Sequence, residues 1–169
     1  MDISFKSIVL FGAIVLTGLS AGFFYAWSVS VIAGTQKITD ASYLETMQSI
    51  NRAILNPAFF LIFFGSMAFL GAASVYQFHS ANPLTFWLVL LASVTYLIGT
   101  IGVTGLGNVP LNDQLDALNL NELSETKLAA FRMFYETHWN RLHQIRTVSV
   151  LISFLLVVAS FFTYLKAFK

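Results

Sequence analysis

Residues 57–78 read PAFFLIFFGSMAFLGAASVYQF, 22 consecutive positions without an aspartate, glutamate, lysine or arginine. About 20 apolar residues carry a helix across a hydrocarbon core ~30 Å thick. A helix satisfies every backbone polar group internally, which lipid demands. Asn56 and Pro57 form a common helix opening, with asparagine as cap and proline where no N–H is needed. The stretch therefore predicts a transmembrane helix. Working outward, Ser7–Ala33 and Leu84–Leu106 are equally free of charge, and Thr147–Phe168 carries only Lys166. Asn82-Pro83 repeats the opening device before the third stretch. Four spans result.

Composition agrees. Of 169 residues, 57% are hydrophobic and 10% charged, against about a quarter charged in soluble domains. A net charge of +1 leaves no basic stripe for nucleic acid. The absence of cysteine removes disulfides, thiolate nucleophiles and Cys-ligated metals. The first span is too long for a signal-peptide h-region, Asp2 offsets Lys6, and Leu19 spoils the best cleavage site, so it reads as a span.

An even number of spans puts both termini and the Gln77–Pro83 turn on one side. The segments 34–56 and 107–146 fall on the other, and they hold 13 of the 17 charges with His138 and His143. That side has six Lys/Arg (Lys37, Arg52, Lys127, Arg132, Arg141, Arg146) against three opposite. Positive-inside counting then faces these segments to the cytoplasm.

Both segments read as structured. Tyr43, Met47, Ile50 and Ile54 make one apolar stripe, predicting an amphipathic helix over 41–55 capped by Thr39 or Asp40. From Ser124 to Phe168 no glycine or proline interrupts a helix of 45 residues, roughly 67 Å long at ~1.5 Å per residue. Leu128, Phe131, Tyr135, His138, Leu142, Ile145 and Ser149 give its apolar stripe, and the extension 124–146 projects beyond the bilayer against the amphipathic helix. The expected fold is all-α: one domain, a four-transmembrane-helix up-down bundle with an amphipathic helix between spans 1 and 2 and a long, projecting fourth helix. Gly18 and Gly22 predict close helix packing. Gly99, Gly102, Gly105 and Gly107 indicate either close neighbours or room for a ligand.

Up-down topology brings four polar clusters together: Tyr25, Trp27 and Ser28; Asn51, Arg52 and Asn56; the 107–113 stretch; and Glu136 through Arg146. Locally, caps and interfacial tryptophans explain each one. On the last helix Glu136, Asn140, His143 and Thr147 share a face, with Arg146 at its edge. A histidine beside a carboxylate and an arginine suits proton transfer; a solvated histidine is the plainer alternative. His138 and His143 lie about 140° apart around the helix, so no metal site is expected. No Gly-rich phosphate loop or GxSxG occurs, and no span interior holds a histidine for haem.

Four stretches together resemble a known family: Ala21-Gly22-Phe23-Phe24-Tyr25-Ala26-Trp27-Ser28; Met47 to Ile54 leading into Asn56-Pro57-Ala58-Phe59; Asn108-Val109-Pro110-Leu111-Asn112; and Trp139-Asn140-Arg141-Leu142-His143-Gln144-Ile145-Arg146-Thr147. The chain is similar to small four-helix membrane proteins that include fungal anthrone oxygenases, although Ala33-Gly34 stands where members often carry proline. The resemblance implies oxidation of an anthrone by O₂ without a bound cofactor. It makes His143 the base, Asn140, Asn112 and Arg146 the donors to an enolate oxygen, Asn51 and Asn108 further pocket residues, and Trp27 and Trp139 the aromatic walls. The alternative is a non-catalytic protein that binds a lipid or small hydrophobic ligand, or a subunit that uses the long fourth helix to meet a partner or a second copy. A transporter fits less well, because charge-free spans offer no coupling residues.

Overall fold

A computed structural model describes residues 4–79 and 82–166. Among them there is no strand, and four helices are long and apolar enough to cross a membrane. We label the helices α1 (Phe5–Thr35), α2 (Asp40–Ala53), α3 (Pro57–Gln77), α4 (Pro83–Asp116) and α5 (Glu125–Lys166). The expected end of the fourth span at Phe168 and the middle of the Gln77–Pro83 turn lie outside the described residues.

The four long helices form a ring in which α1 packs on α3, α3 on α4, α4 on α5 and α5 on α1. Their shared core includes Leu10, Ala13, Leu70, Val89, Tyr96 and Val150. With lipid outside, apolar burial does little to hold spans together; close packing and interhelical hydrogen bonds do so instead. Tyr96 is fully buried, with its hydroxyl 3.0 Å from Ser20 Oγ and donating to the Phe63 carbonyl at 2.9 Å. Ser153 donates to the Ala92 carbonyl at 2.9 Å.

The small residues divide by role. A methyl group at Gly99 would overlap the Ser149 side chain, and one at Gly107 would meet Leu142, so α4 and α5 touch through both glycines. Gly18 faces Phe154, but a side chain at Gly22 would meet nothing; the expected Gly18–Gly22 packing pair is half present. Gly99→Ala is expected to cost about 1–3 kcal/mol as overpacking. Thermal unfolding in detergent checks this, and Ser149→Gly should restore the loss.

A second cluster caps the bundle. Tyr43, Leu44 and Met47 of α2 pack against Leu111, Leu115, Leu120, Leu128 and Tyr135. Thr39 caps α2 by accepting from the Ser42 N–H at 3.4 Å, and Asn56 caps α3 through Phe59 N–H at 3.0 Å. Arg132 ties the cap to the end of α1. It lies 4.5 Å over the Tyr43 ring and donates to Asp40, Glu136 and the carbonyls of Thr35, Gln36 and Ile38. Burial, reinforced by the Glu136 carboxylate, pushes the Tyr43 phenol pKa upward, so it stays a neutral ring under that guanidinium.

Two features differ from the sequence reading. The helix of the third span runs on past Leu106, through Pro110 to Asp116, with π-helical turns at Leu97–Gly102 and Thr104–Asn108. Pro110 has no N–H to give to the preceding turn, and the wider π-helical turns before it let the helix run on through the glycine-rich stretch. The apolar stripe of α5 also goes wrong beyond Tyr135. Its buried face continues through Trp139, His143 and Arg146 to Val150, while Ile145 is exposed and so is His138. Hydrophobic periodicity passes over histidine and arginine, and here those are the buried residues.

Candidate functional site

Where the membrane core meets the cap, the bundle encloses an open cavity of about 430 Å³, within the ~300–1,000 Å³ range of small-molecule sites. Its walls are aromatic: Phe23, Phe24 and Trp27 from α1, Phe59, Phe60, Phe63 and Phe64 from α3, and Trp139 from α5. A π-helical turn at Trp27–Ile32 holds Trp27 and Ser28 at this level. The polar groups come from α4 and α5, with Asn51 and Arg52 from α2.

His143 is buried in the wall, stacked on Trp139 at a centroid distance of 5.2 Å and an interplanar angle of 8°. Phe24 and Trp27 close its other sides. Nδ1 lies 3.1 Å from Arg146 Nη2. Guanidinium has only donors, so Nδ1 accepts and the ring carries its proton on Nε2. That N–H faces Ser28 Oγ at 2.9 Å and Thr147 Oγ1 at 3.3 Å. Each hydroxyl donates its own hydrogen one turn back along its helix, to the Phe24 and His143 carbonyls. The network assigns the tautomer.

Arg146 is the unusual group. It is 6% exposed and sits between the Phe24 and Trp139 rings, 5.0 and 5.2 Å from their centroids. Its remaining side-chain bond is a 3.3 Å donation to Thr104 Oγ1, and its Nε has no partner. Among the described residues no carboxylate pairs with it. A buried charge ordinarily has a counter-ion, since removing it from water costs several kcal/mol. Asn108, also in the wall, donates to the Trp139 carbonyl at 3.3 Å and leaves its buried Oδ1 unpartnered.

Of the residues singled out in the sequence, Trp27, Asn51, Asn108, Asn112, Trp139, His143 and Arg146 line this one cavity. Asn51 and Asn112 belong to a buttress: Asn51 donates to Tyr135 Oη at 3.0 Å, and Tyr135 and Trp139 Nε1 donate to Asn112 Oδ1 at 3.0 and 2.8 Å. Because indole only donates, the Asn112 amide orientation is determined, and its NH₂ is left as a donor. Asn140 and Glu136 do not join them. They line a separate surface cleft with Arg132, where Glu136 pairs with that arginine at 3.0 Å. On a helix, Asn140 stands about 60° from His143, enough here to put it on another face. The carboxylate expected beside His143 is therefore replaced by Ser28, Thr147 and Arg146. Tyr135 and Thr104 are site residues that the sequence reading missed; the first was counted in the stripe of α5, and the second stands among glycines that drew attention to themselves. No three His, Asp or Glu side chains among the described residues come close enough to hold a metal.

Residues 59–156 match the anthrone oxygenase family, more than half of the chain. The chain belongs to the anthrone oxygenase family. The matched stretch of this family member runs from α3 to the middle of α5 and takes in Asn108, Asn112, Trp139, His143 and Arg146. Trp27 and Asn51, which also line the cavity, and Ser28, which bonds His143, lie before it. No match to the chain was found among curated proteins or solved structures.

Proposed function

We propose that this member of the family oxidises a flat, hydrophobic carbon acid of the anthrone type with O₂, in the cavity around His143 and Arg146. The observation that carries the reading is Arg146, a buried guanidinium without a carboxylate, bonded to His143 inside an aromatic cavity. Such a site favours an apolar molecule that acquires negative charge on oxygen. The substrate's carbonyl oxygen takes over the guanidinium, and Arg146 releases Nδ1 as it turns. The freed Nδ1 lone pair then removes a proton from the acidic carbon. The Asn112 NH₂ gives the enolate a second donor.

The balance closes without another reductant. The carbanion's electron pair goes to O₂, a C–O bond forms, and the proton returns to give a hydroperoxide. Loss of the second C–H proton with cleavage of the O–O bond yields a ketone and water. The CH₂ group supplies all the electrons that O₂ needs. Purified protein with emodin anthrone should consume one O₂ per ketone formed, with one labelled oxygen retained from ¹⁸O₂. No uptake above background across several carbon acids would leave a ligand-binding protein instead. The excess of Lys/Arg near the cavity end supports a cytoplasmic orientation for it.

A further inference from the structure

The two possible ways into the cavity are unequal. On the aqueous side α2 lies across it and is fastened at three places. Gln48 donates to the Leu115 and Leu118 carbonyls at 2.8 and 3.1 Å, Asn51 bonds Tyr135, and Arg52 pairs with Asp116 at 2.6 Å. The fastenings hold both ends of the last α2 turn, and Ile50, Ile54 and Leu55 form the underside of the lid.

On the lipid side the wall is interrupted. α3 packs against the Pro83–Tyr96 half of α4 but hardly touches the half beyond it. In the resulting gap Phe60 and Phe64 face Ile101, Gly105 and Val109 across the cavity. Phe60, Phe64, Gly105 and Val109 are themselves exposed, and their neighbours Leu61 and Leu106 are exposed without lining the cavity. Exposed cavity-lining residues beside leucines that are exposed only outside the cavity mark an opening. At Gly105 a methyl group would meet nothing within 4 Å, so packing does not require glycine there, unlike at Gly99 and Gly107. The Thr104–Asn108 π-helical turn containing it widens the helix at this point.

We infer that hydrophobic ligands reach and leave the cavity sideways, from the bilayer, through the gap between α3 and α4, and that Gly105 keeps this portal open. The inference rests on the proposed role of the cavity and adds its route. It also specifies the ligand: a molecule that partitions into lipid and is thin enough to pass between two helices edge-on.

The test uses full-length protein in phosphatidylcholine vesicles, with Trp87→Phe in every variant so that Trp27 and Trp139 report on the cavity. The probe is 1-aminoanthracene, added from donor vesicles and followed by energy transfer in stopped flow. Gly105→Leu should slow association and dissociation together by about tenfold, with little change in Kd. Gly105→Ala should slow both less, which covers the case in which the leucine variant does not fold. Asp116→Ala, which removes one of the three α2 fastenings, should leave association unchanged. Unchanged rates in both Gly105 variants, or faster association in Asp116→Ala, would overturn the lateral route while leaving the cavity as a binding site. Lost affinity at an unchanged association rate would make Gly105 part of the ligand bed and also overturn it. No binding by the parent protein would remove the cavity reading and the portal together.

Discussion

His143→Ala is expected to lower anthrone-dependent O₂ uptake by about 10²–10⁴-fold, the usual contribution of a positioned acid–base group. The ring is held from every side: stacking on Trp139 sets its plane, and Ser28 and Thr147 accept from its Nε2–H. Nδ1 is then the single basic atom, and Arg146 covers it. His143→Asn tests the same point with less loss of packing. Both variants should keep the parent's helicity and still bind 1-aminoanthracene, because the aromatic walls remain. Uptake within a few-fold of the parent in either variant would show that the base lies elsewhere.

Arg146→Met is expected to move activity and stability in opposite directions. Removing the donor that meets a developing oxyanion should cost about 10²–10³-fold in turnover. The same change removes a buried cation, whose burial costs several kcal/mol, and fills the slot between Phe24 and Trp139 with an apolar chain. Against this, His143 Nδ1 loses its partner, at about 1–3 kcal/mol, together with a cation–π contribution of up to about 2 kcal/mol. Burial of the charge is the larger of these, so the Tm in detergent should rise slightly. Such an exchange of stability for function is common where a site holds strain or unpaired charge. A fall in Tm of several degrees would make Arg146 a structural residue and count against the proposed chemistry.

Much of the architecture is legible in the sequence. Charge-free stretches predicted four spans, and the Asn56-Pro57 and Asn82-Pro83 openings set two helix starts. The absence of glycine and proline after Pro110 predicted one long last helix, present as Glu125–Lys166. Legibility failed where polar residues are buried. The periodicity of α5 follows apolar residues, so it lost the face made by Trp139, His143 and Arg146. Asn108-Val109-Pro110 reads as a departure from helix, yet α4 absorbs it with π-helical turns that local propensity does not signal.

The sequence by itself determined the membrane class, the helix order and the end of the bundle where polar side chains gather, because these follow from transfer energies and chain connectivity. Only the tertiary structure decided which of those side chains meet. Asn140 and His143 are three residues apart, yet they belong to different cavities. Ser28 and His143 are 115 residues apart and share a hydrogen bond. Helix rotation and the splay between α3 and α4 set these distances, and close packing such as Gly99 against Ser149 fixes how α4 and α5 meet beside the site.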